Sequence, residues 1–245
     1  MELVDDPSRG PKIREIIFRK PSLHALYVEF YGMYQRALDA TPGGGKAIEI
    51  GAGAGFSQQL IPQLVASDIL PYPGLDVIFD ATKMPFSHSS LRFICMLNVF
   101  HHIPDVSAFL REAERCLLPG GRILILDQHR GWISRWILQY AHNEPYNPAS
   151  KTWAFETTGP LSGANGALAW MVFERDLAQF HRDFPLLEMR RYRPHTPLRY
   201  WLTGGLKEWS LLPMPLFKMA RWIDNTLTGI NRNIGSFVEI EIVRK

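Results

Sequence analysis

The residues best suited to chemistry in this chain fall largely between Glu49 and Glu144. Glu49-Ile50-Gly51-Ala52-Gly53-Ala54-Gly55-Phe56 is a glycine-rich turn between a predicted strand and a predicted helix. Such a turn lets a ligand approach the backbone closely, and a helix start offers unpaired N–H groups to an anion. The dinucleotide pattern G-x-G-x-x-G would need its third glycine at Phe56 and fails. What remains is G-x-G-x-G with an acidic residue two positions ahead of it. Asp68 ends the next predicted strand. Asp80 opens the run Asp80-Ala81-Thr82-Lys83-Met84-Pro85-Phe86. Each of these residues also has a structural reading, as a turn glycine, a helix cap or an Asx-turn residue.

Four histidines supply candidate bases: His101, His102, His129 and His142. They lie at or just beyond the carboxyl ends of the fourth and fifth predicted strands, the edge at which open α/β sheets bind ligands. Capping or packing is the alternative role for the adjacent pair. Asp127, His129, His142 and Glu144 show no recognisable ligand spacing, so no metal site is expected.

Taken in order, the glycine turn, Asp68, the Asp80 segment, and Asn98-Val99-Phe100-His101-His102-Ile103 with Leu118-Pro119-Gly120-Gly121-Arg122 resemble the class I methyltransferases, type 11. The resemblance runs from about Ala47 to Asp127, a third of the chain. It implies a doubly wound, seven-stranded, mostly parallel Rossmann-like sheet and S-adenosylmethionine as cofactor. It also implies cofactor contacts at Glu49, Gly51, Ala52, Gly53, Asp68, Ile69, Asp80, Ala81 and Asn98. By the family pattern Asp68 holds the ribose hydroxyls, Asp80 accepts from the adenine amino group, and the Ala81 N–H reaches a ring nitrogen. Met84 departs conservatively from the family's leucine, and Gly55 suits close helix–strand packing.

Methyl transfer from a sulfonium is an in-line displacement that positioning alone can accelerate. A base is needed only where the acceptor must lose a proton. His101, His102 and His129 are the catalytic candidates. The amino-methylating signature [DN]-P-P-[YF] is absent at Asn98-Val99-Phe100-His101, and Cys95 lies within the fourth strand, not after it as a pyrimidine-C5 nucleophile must. The expected acceptor is therefore a small molecule or a lipid- or sugar-containing metabolite. The rivals are a protein or nucleic-acid methyltransferase and a non-catalytic module that binds the cofactor.

Composition sets wider limits. The 245 residues suit one domain with insertions, and 46% hydrophobic with 21% charged residues is ordinary for a globular chain. A net charge of +3 gives no electrostatic reason to expect nucleic acid. Cys95 and Cys116 sit in apolar periodic stretches and read as packing. Met1 to Asp6 lacks the features of a secretory signal and no apolar run is long enough to span a bilayer, so a cytoplasmic location is expected.

The elements that must position these residues follow from periodicity. Ile13 to Ala40 is helical with a break near Pro21, and Leu23, Tyr27, Phe30, Tyr31 and Tyr34 form one aromatic face. That face reads either as core or as a lid over the cofactor. Short apolar runs then alternate with helical stretches: strands at 47–50, 64–68, 75–79, 93–97 and 122–127, and a helix over 105–117 stopped by Pro119-Gly120-Gly121. The later part holds a helix at 174–184, a strand near 186–192 and a final strand at 236–243. The chain thus divides into a helical lid (1–40), a cofactor-binding half (41–128) and cap insertions (129–173 and 194–235). All seven tryptophans follow the fifth strand, which points to an aromatic-rich cap. The apolar stretch from Leu211 to Leu227 reads as core, as a wall for a hydrophobic acceptor, or as a surface resting on a membrane. Gly204-Gly205 is a candidate hinge for that cap.

Overall fold

A computed structural model describes residues 6–132, 134–140 and 144–245. His142 and the first five residues lie outside the described residues. The chain opens with two helices, α1 (Arg9–Arg19) and α2 (Pro21–Asp39), divided by an extended Lys20. Pro21 takes the first helical position of α2, where its missing N–H costs nothing. The aromatic face is buried: Leu23, Phe30, Tyr31 and Tyr34 pack beneath α2.

Among the described residues seven strands form one sheet: β1 (Lys46–Ile50), β2 (Leu64–Asp68), β3 (Val77–Ile78), β4 (Leu91–Leu97), β5 (Leu117–Gln128), β6 (Leu187–His195) and β7 (Phe237–Arg244). Their order is β3-β2-β1-β4-β5-β7-β6. The first five run parallel, whereas β7 pairs antiparallel with both β5 and β6. The reversal of chain order beside β1 puts the carboxyl ends of β1 and β4 on either side of a crevice, the usual ligand position in such sheets. Apolar side chains cover both faces, with α2 on one side and α4 (Val106–Cys116) on the other. Asp105 caps α4 by accepting from the Ala108 N–H at 2.9 Å. Cys95 and Cys116 are free and buried, as their patterning predicts.

Two strand bounds differ from expectation. β3 is only two residues long, because it pairs on one side alone and Ile78 is exposed. β5 begins at Leu117, directly after α4, and not beyond the Pro-Gly-Gly run. Gly120 (φ +79°) lets the chain bulge within the strand, and the β4–β5 pairing jumps from Leu91↔Leu117 to Phe93↔Arg122.

The remaining helices are α3 (Ser57–Leu60), α5 (Ser134–Tyr140), α6 (Leu168–Trp170), α7 (Leu177–Asp183), α8 (Arg199–Leu202) and α9 (Phe217–Ile230). One π turn, Met171–Arg175, joins α6 to α7. The late insertion carrying α8 and α9 is fixed to α2 by buried charge. Arg199 donates to Asp224 (2.8 Å) and to Glu29 (2.7 Å). Lys20 is similarly buried and donates to the carbonyls of Gly205 (2.6 Å) and Lys207 (2.9 Å). Gly204 and Gly205 both have positive φ, and a Cβ on Gly204 would lie 2.2 Å from the Trp209 carbonyl oxygen. The pair forms a tight turn packed against Trp209 and clamped by Lys20.

Candidate active site

The glycine turn after β1 is shaped by backbone that only glycine adopts easily. Gly51 (φ +70°) and Gly53 (φ +47°) are left-handed. At Gly51 a Cβ would come within 2.2 Å of Val99 Cγ2, so this position brings β1 and the end of β4 into close contact. The turn is latched to β2, because the Gly53 N–H donates to Asp68 Oδ2 at 2.9 Å. Asp68 also accepts from the Leu70 N–H at 3.0 Å. Burial raises the Asp68 carboxyl pKa, against the pull of these N–H bonds. Each oxygen keeps lone-pair capacity for a further donor.

Glu49 lies deeper. Its carboxylate accepts from the Ser57 hydroxyl, and burial raises its pKa to about 7. Asp80 makes an Asx turn, accepting from the Thr82 N–H and hydroxyl at 2.8 Å through Oδ1. The structural and ligand-binding readings of Asp80 are therefore compatible, because Oδ2 is not used in the turn. Asn98 directly follows β4 with φ +56°, a conformation uncommon outside glycine. Its side-chain Oδ1 is buried and has no hydrogen-bond partner.

All nine expected cofactor residues, Glu49, Gly51, Ala52, Gly53, Asp68, Ile69, Asp80, Ala81 and Asn98, border one cavity of about 530 Å³. Its roof comes from elsewhere: Ile13 and Ile17 of α1, Tyr27 and Tyr31 of α2, Thr157 to Leu161, and Leu206. The aromatic face of α2 is thus core and lid together. Arg14 ties α1 to the glycine turn by donating to the Gly55 carbonyl at 2.7 Å. No tryptophan borders the cavity, and Trp132, Trp136, Trp209 and Trp222 are exposed. Of the 194–235 insertion only Leu206 reaches it. The roof residues carried little sequence signal, since Ile13, Thr157 and Leu206 meet only through the fold.

The histidines separate into different environments. His102 borders the cavity, and its Nδ1 lies 3.0 Å from the Gly163 carbonyl oxygen, which can only accept. Nδ1 therefore carries the proton and Nε2 presents a lone pair. Burial and the neighbouring His101 lower its pKa. His101 is buried behind it, with Nδ1 2.6 Å from Asp127 Oδ1 and Nε2 3.2 Å from Glu144 Oε2. Burial alone would lower its pKa, but Asp127 and then Glu144 push it up to about 10. His129 stands apart: it does not border the cavity, its Nδ1 faces the Tyr192 hydroxyl at 3.0 Å, and burial drops its pKa to about 3. The structure thus brings His101 and His102 together and leaves His129 out. Asp127 and Glu144, whose sequence spacing suggested no site, complete the cluster around His101.

The cavity residues suit S-adenosylmethionine. The unpartnered Asn98 oxygen is an acceptor awaiting a donor, Asp68 and Asp80 offer carboxylate oxygens, and the glycine turn leaves the backbone open.

Residues 48–125 match the family model described as "Methyltransferase domain". Among solved structures the chain is similar to geranyl diphosphate C-methyltransferase from Streptomyces coelicolor A3(2), determined with Mg2+, geranyl diphosphate and S-adenosylhomocysteine. Identity is 14%, with 91% of this chain and 82% of that one covered and a TM-score of 0.53. It is also similar to a chain of the complex between a Haloferax volcanii methyltransferase activator and a methyltransferase. There identity is 12%, coverage 98% and 97%, and the TM-score 0.52. At such identities the likeness is one of fold, while the domain match runs from β1 into β5. Residues 48–125 are thus similar to a methyltransferase domain, and the chain as a whole shares its fold with solved methyltransferases.

Proposed function

We propose that the protein is an S-adenosylmethionine-dependent enzyme that methylates a small organic acceptor, or the polar end of a lipid- or sugar-containing one. The observation that carries this reading is that one cavity joins the glycine turn, Asp68 and Asp80 to an apolar roof and to His102. A roofed space of about 530 Å³ accommodates a cofactor and a compact acceptor. S-adenosylmethionine, when bound, supplies an electrophilic methyl group on a sulfonium. Asp68 and the Gly53 N–H hold one end of the binding groove in shape, and Asp80 shapes the other. Asn98 presents its amide oxygen to a donor between them. Ile13, Ile17, Tyr27 and Tyr31 exclude water, which strengthens each polar contact inside. His102 is the residue placed to receive the acceptor's polar group, through Nε2, while Gly163 fixes the ring. His101 positions His102 and Glu144 and does not itself meet the cavity.

The test is incubation of the protein with cofactor carrying a labelled methyl group and a metabolite extract. Label in a low-molecular-weight product, lost in Asp80→Ala, supports the proposal. Label confined to protein or nucleic acid overturns it.

A second reading, that a hydrophobic acceptor is taken from a membrane surface, is favoured by the exposed apolar residues of the late insertion. Leu211, Met214, Met219 and Trp222 are all exposed, with exposed Lys218 and Arg221 between them in sequence. This composition suits an interfacial surface on anionic lipid. No helix among the described residues is long and apolar enough to cross a membrane. Co-sedimentation with phosphatidylglycerol vesicles, lost in a Met219→Ser/Trp222→Ser double variant, is the expected result. Equal sedimentation of the two proteins sinks this reading.

A further inference from the structure

His101, His102 and Glu144 converge so that one ligand atom from each lies within 4.8 Å of the others. Hydrogen-bond accounting makes this convergence chemically specific. The His101 Nδ1–H is taken by Asp127 at 2.6 Å and the His102 Nδ1–H by the Gly163 carbonyl at 3.0 Å. Both rings are thereby fixed with Nε2 toward the same carboxylate: His101 Nε2 is 3.2 Å from Glu144 Oε2, and His102 Nε2 is 3.7 Å from Glu144 Oε1. The two ring centroids lie 4.2 Å apart, so both Nε2 atoms and the carboxylate surround one small space. A single cation there would meet all three groups at once.

We propose that His101, His102 and Glu144 bind one divalent first-row transition-metal ion through the two Nε2 atoms and the Glu144 carboxylate. Two imidazoles and one carboxylate are the donor set of zinc and ferrous sites, whereas magnesium and calcium prefer oxygen alone. Bonds of about 2.1 Å at tetrahedral or octahedral angles separate ligand atoms by roughly 3.0–3.4 Å. The two distances to Glu144, 3.2 and 3.7 Å, lie near that range, and the ligand atoms, now within 4.8 Å of one another, must draw together to reach it. Asp127 and the Gly163 carbonyl are the outer-shell acceptors that metal-bound histidines characteristically have, holding the tautomer and the ring plane. Gln128 is a further neighbour: its amide nitrogen lies 3.4 Å from His101 Nε2 and 3.3 Å from Glu144 Oε2, and its buried Oε1 has no partner. Three ligands from the chain leave a position for water or for an oxygen of the acceptor. Because His102 also borders the cavity, the ion adjoins the cavity's acceptor end. That last role rests on the proposed function, whereas binding of the ion does not.

The test uses the full chain stripped with a chelator and then titrated with Zn2+ by calorimetry and with Co2+ by visible absorption. The expected result is one ion per chain and a cobalt d–d spectrum. Glu144→Gln and His102→Gln should each weaken binding at least tenfold, with S-adenosylhomocysteine affinity kept within threefold. If His102→Gln does not fold, Glu144→Gln decides alone. No stoichiometric binding, or binding unchanged in Glu144→Gln, overturns the metal site. Retained S-adenosylhomocysteine affinity in that case leaves the cavity reading standing, whereas lost affinity in the unmodified protein strikes at that reading and not at the metal.

Discussion

The floor and the roof of the cavity are built by different means. The floor is made of short consecutive stretches at the ends of β1, β2 and β4, and its geometry is largely backbone: Gly51 and Gly53 at positive φ, and the Gly53 N–H on Asp68. The roof gathers Ile13, Tyr31, Thr157 and Leu206 from distant parts of the chain. Long-range charge contacts hold it, Arg199 reaching Glu29 across 170 residues and Lys20 reaching Gly205 across 185. A backbone cradle is fixed by the sheet that carries it, whereas a roof of separate segments depends on each tie. Damage to the floor should therefore appear in cofactor affinity, and damage to the roof in stability.

The largest effect is expected at the roof's buried pair. Asp224→Ala leaves Arg199 charged and without one of its two acidic partners, which should cost about 3–5 kcal/mol in chemical denaturation. If the folded fraction keeps normal S-adenosylhomocysteine affinity, floor and roof are separable. A parallel fall in affinity would show that the roof shapes the floor.

Next comes a pH effect at the floor. Burial raises Glu49 from its ordinary 4.5 to about 7, so the folded protein holds this proton more tightly than the unfolded chain. The associated stability is complete below pH 4.5 and is lost as pH rises through 7, amounting to about 3 kcal/mol. Cofactor-free Glu49→Gln should thus gain on the natural protein between pH 5 and pH 8. A constant stability difference over that range would show that Glu49 is ionised throughout.

Asp68→Ala removes an acceptor from the floor and unlatches Gly53. S-adenosylhomocysteine binding should weaken by about 1.5–3 kcal/mol, roughly 10- to 150-fold in Kd by calorimetry. An unchanged Kd would leave Asp68 a purely structural latch. The smallest effect is expected at Trp222, which is 68% exposed: Trp222→Ala should change stability by less than about 0.5 kcal/mol. A larger loss would mean that this ring packs on the roof in solution.

Legibility followed the same division. The G-x-G-x-G turn, Asp68 and the Asp80 segment each lie within a few consecutive residues, and strand periodicity placed them at one edge of a sheet. The late strands were also visible as apolar alternation, although their antiparallel pairing was not. Histidine roles were only half readable. His101 and His102 follow a buried strand, but nothing local says that one meets Asp127 while the other meets Gly163 and the cavity. His129 stands only two residues beyond Asp127, yet faces Tyr192. The insertion was the least legible part. Its apolar residues divide between burial, as at Phe217 and Ala220, and exposure, as at Met219 and Trp222.

By itself, then, the sequence determined the parallel core and the placing of the glycine turn, Asp68 and Asp80 at one edge of it. These depend on local backbone angles and on contacts between neighbouring strands, which short residue patterns encode directly. Only the tertiary structure decided which histidine meets the cavity, what roofs it, and that Glu144 closes on the His101–His102 pair. Those outcomes arise from side chains converging across 40 to 190 positions, where partner choice is governed by how the segments pack and not by their own spacing.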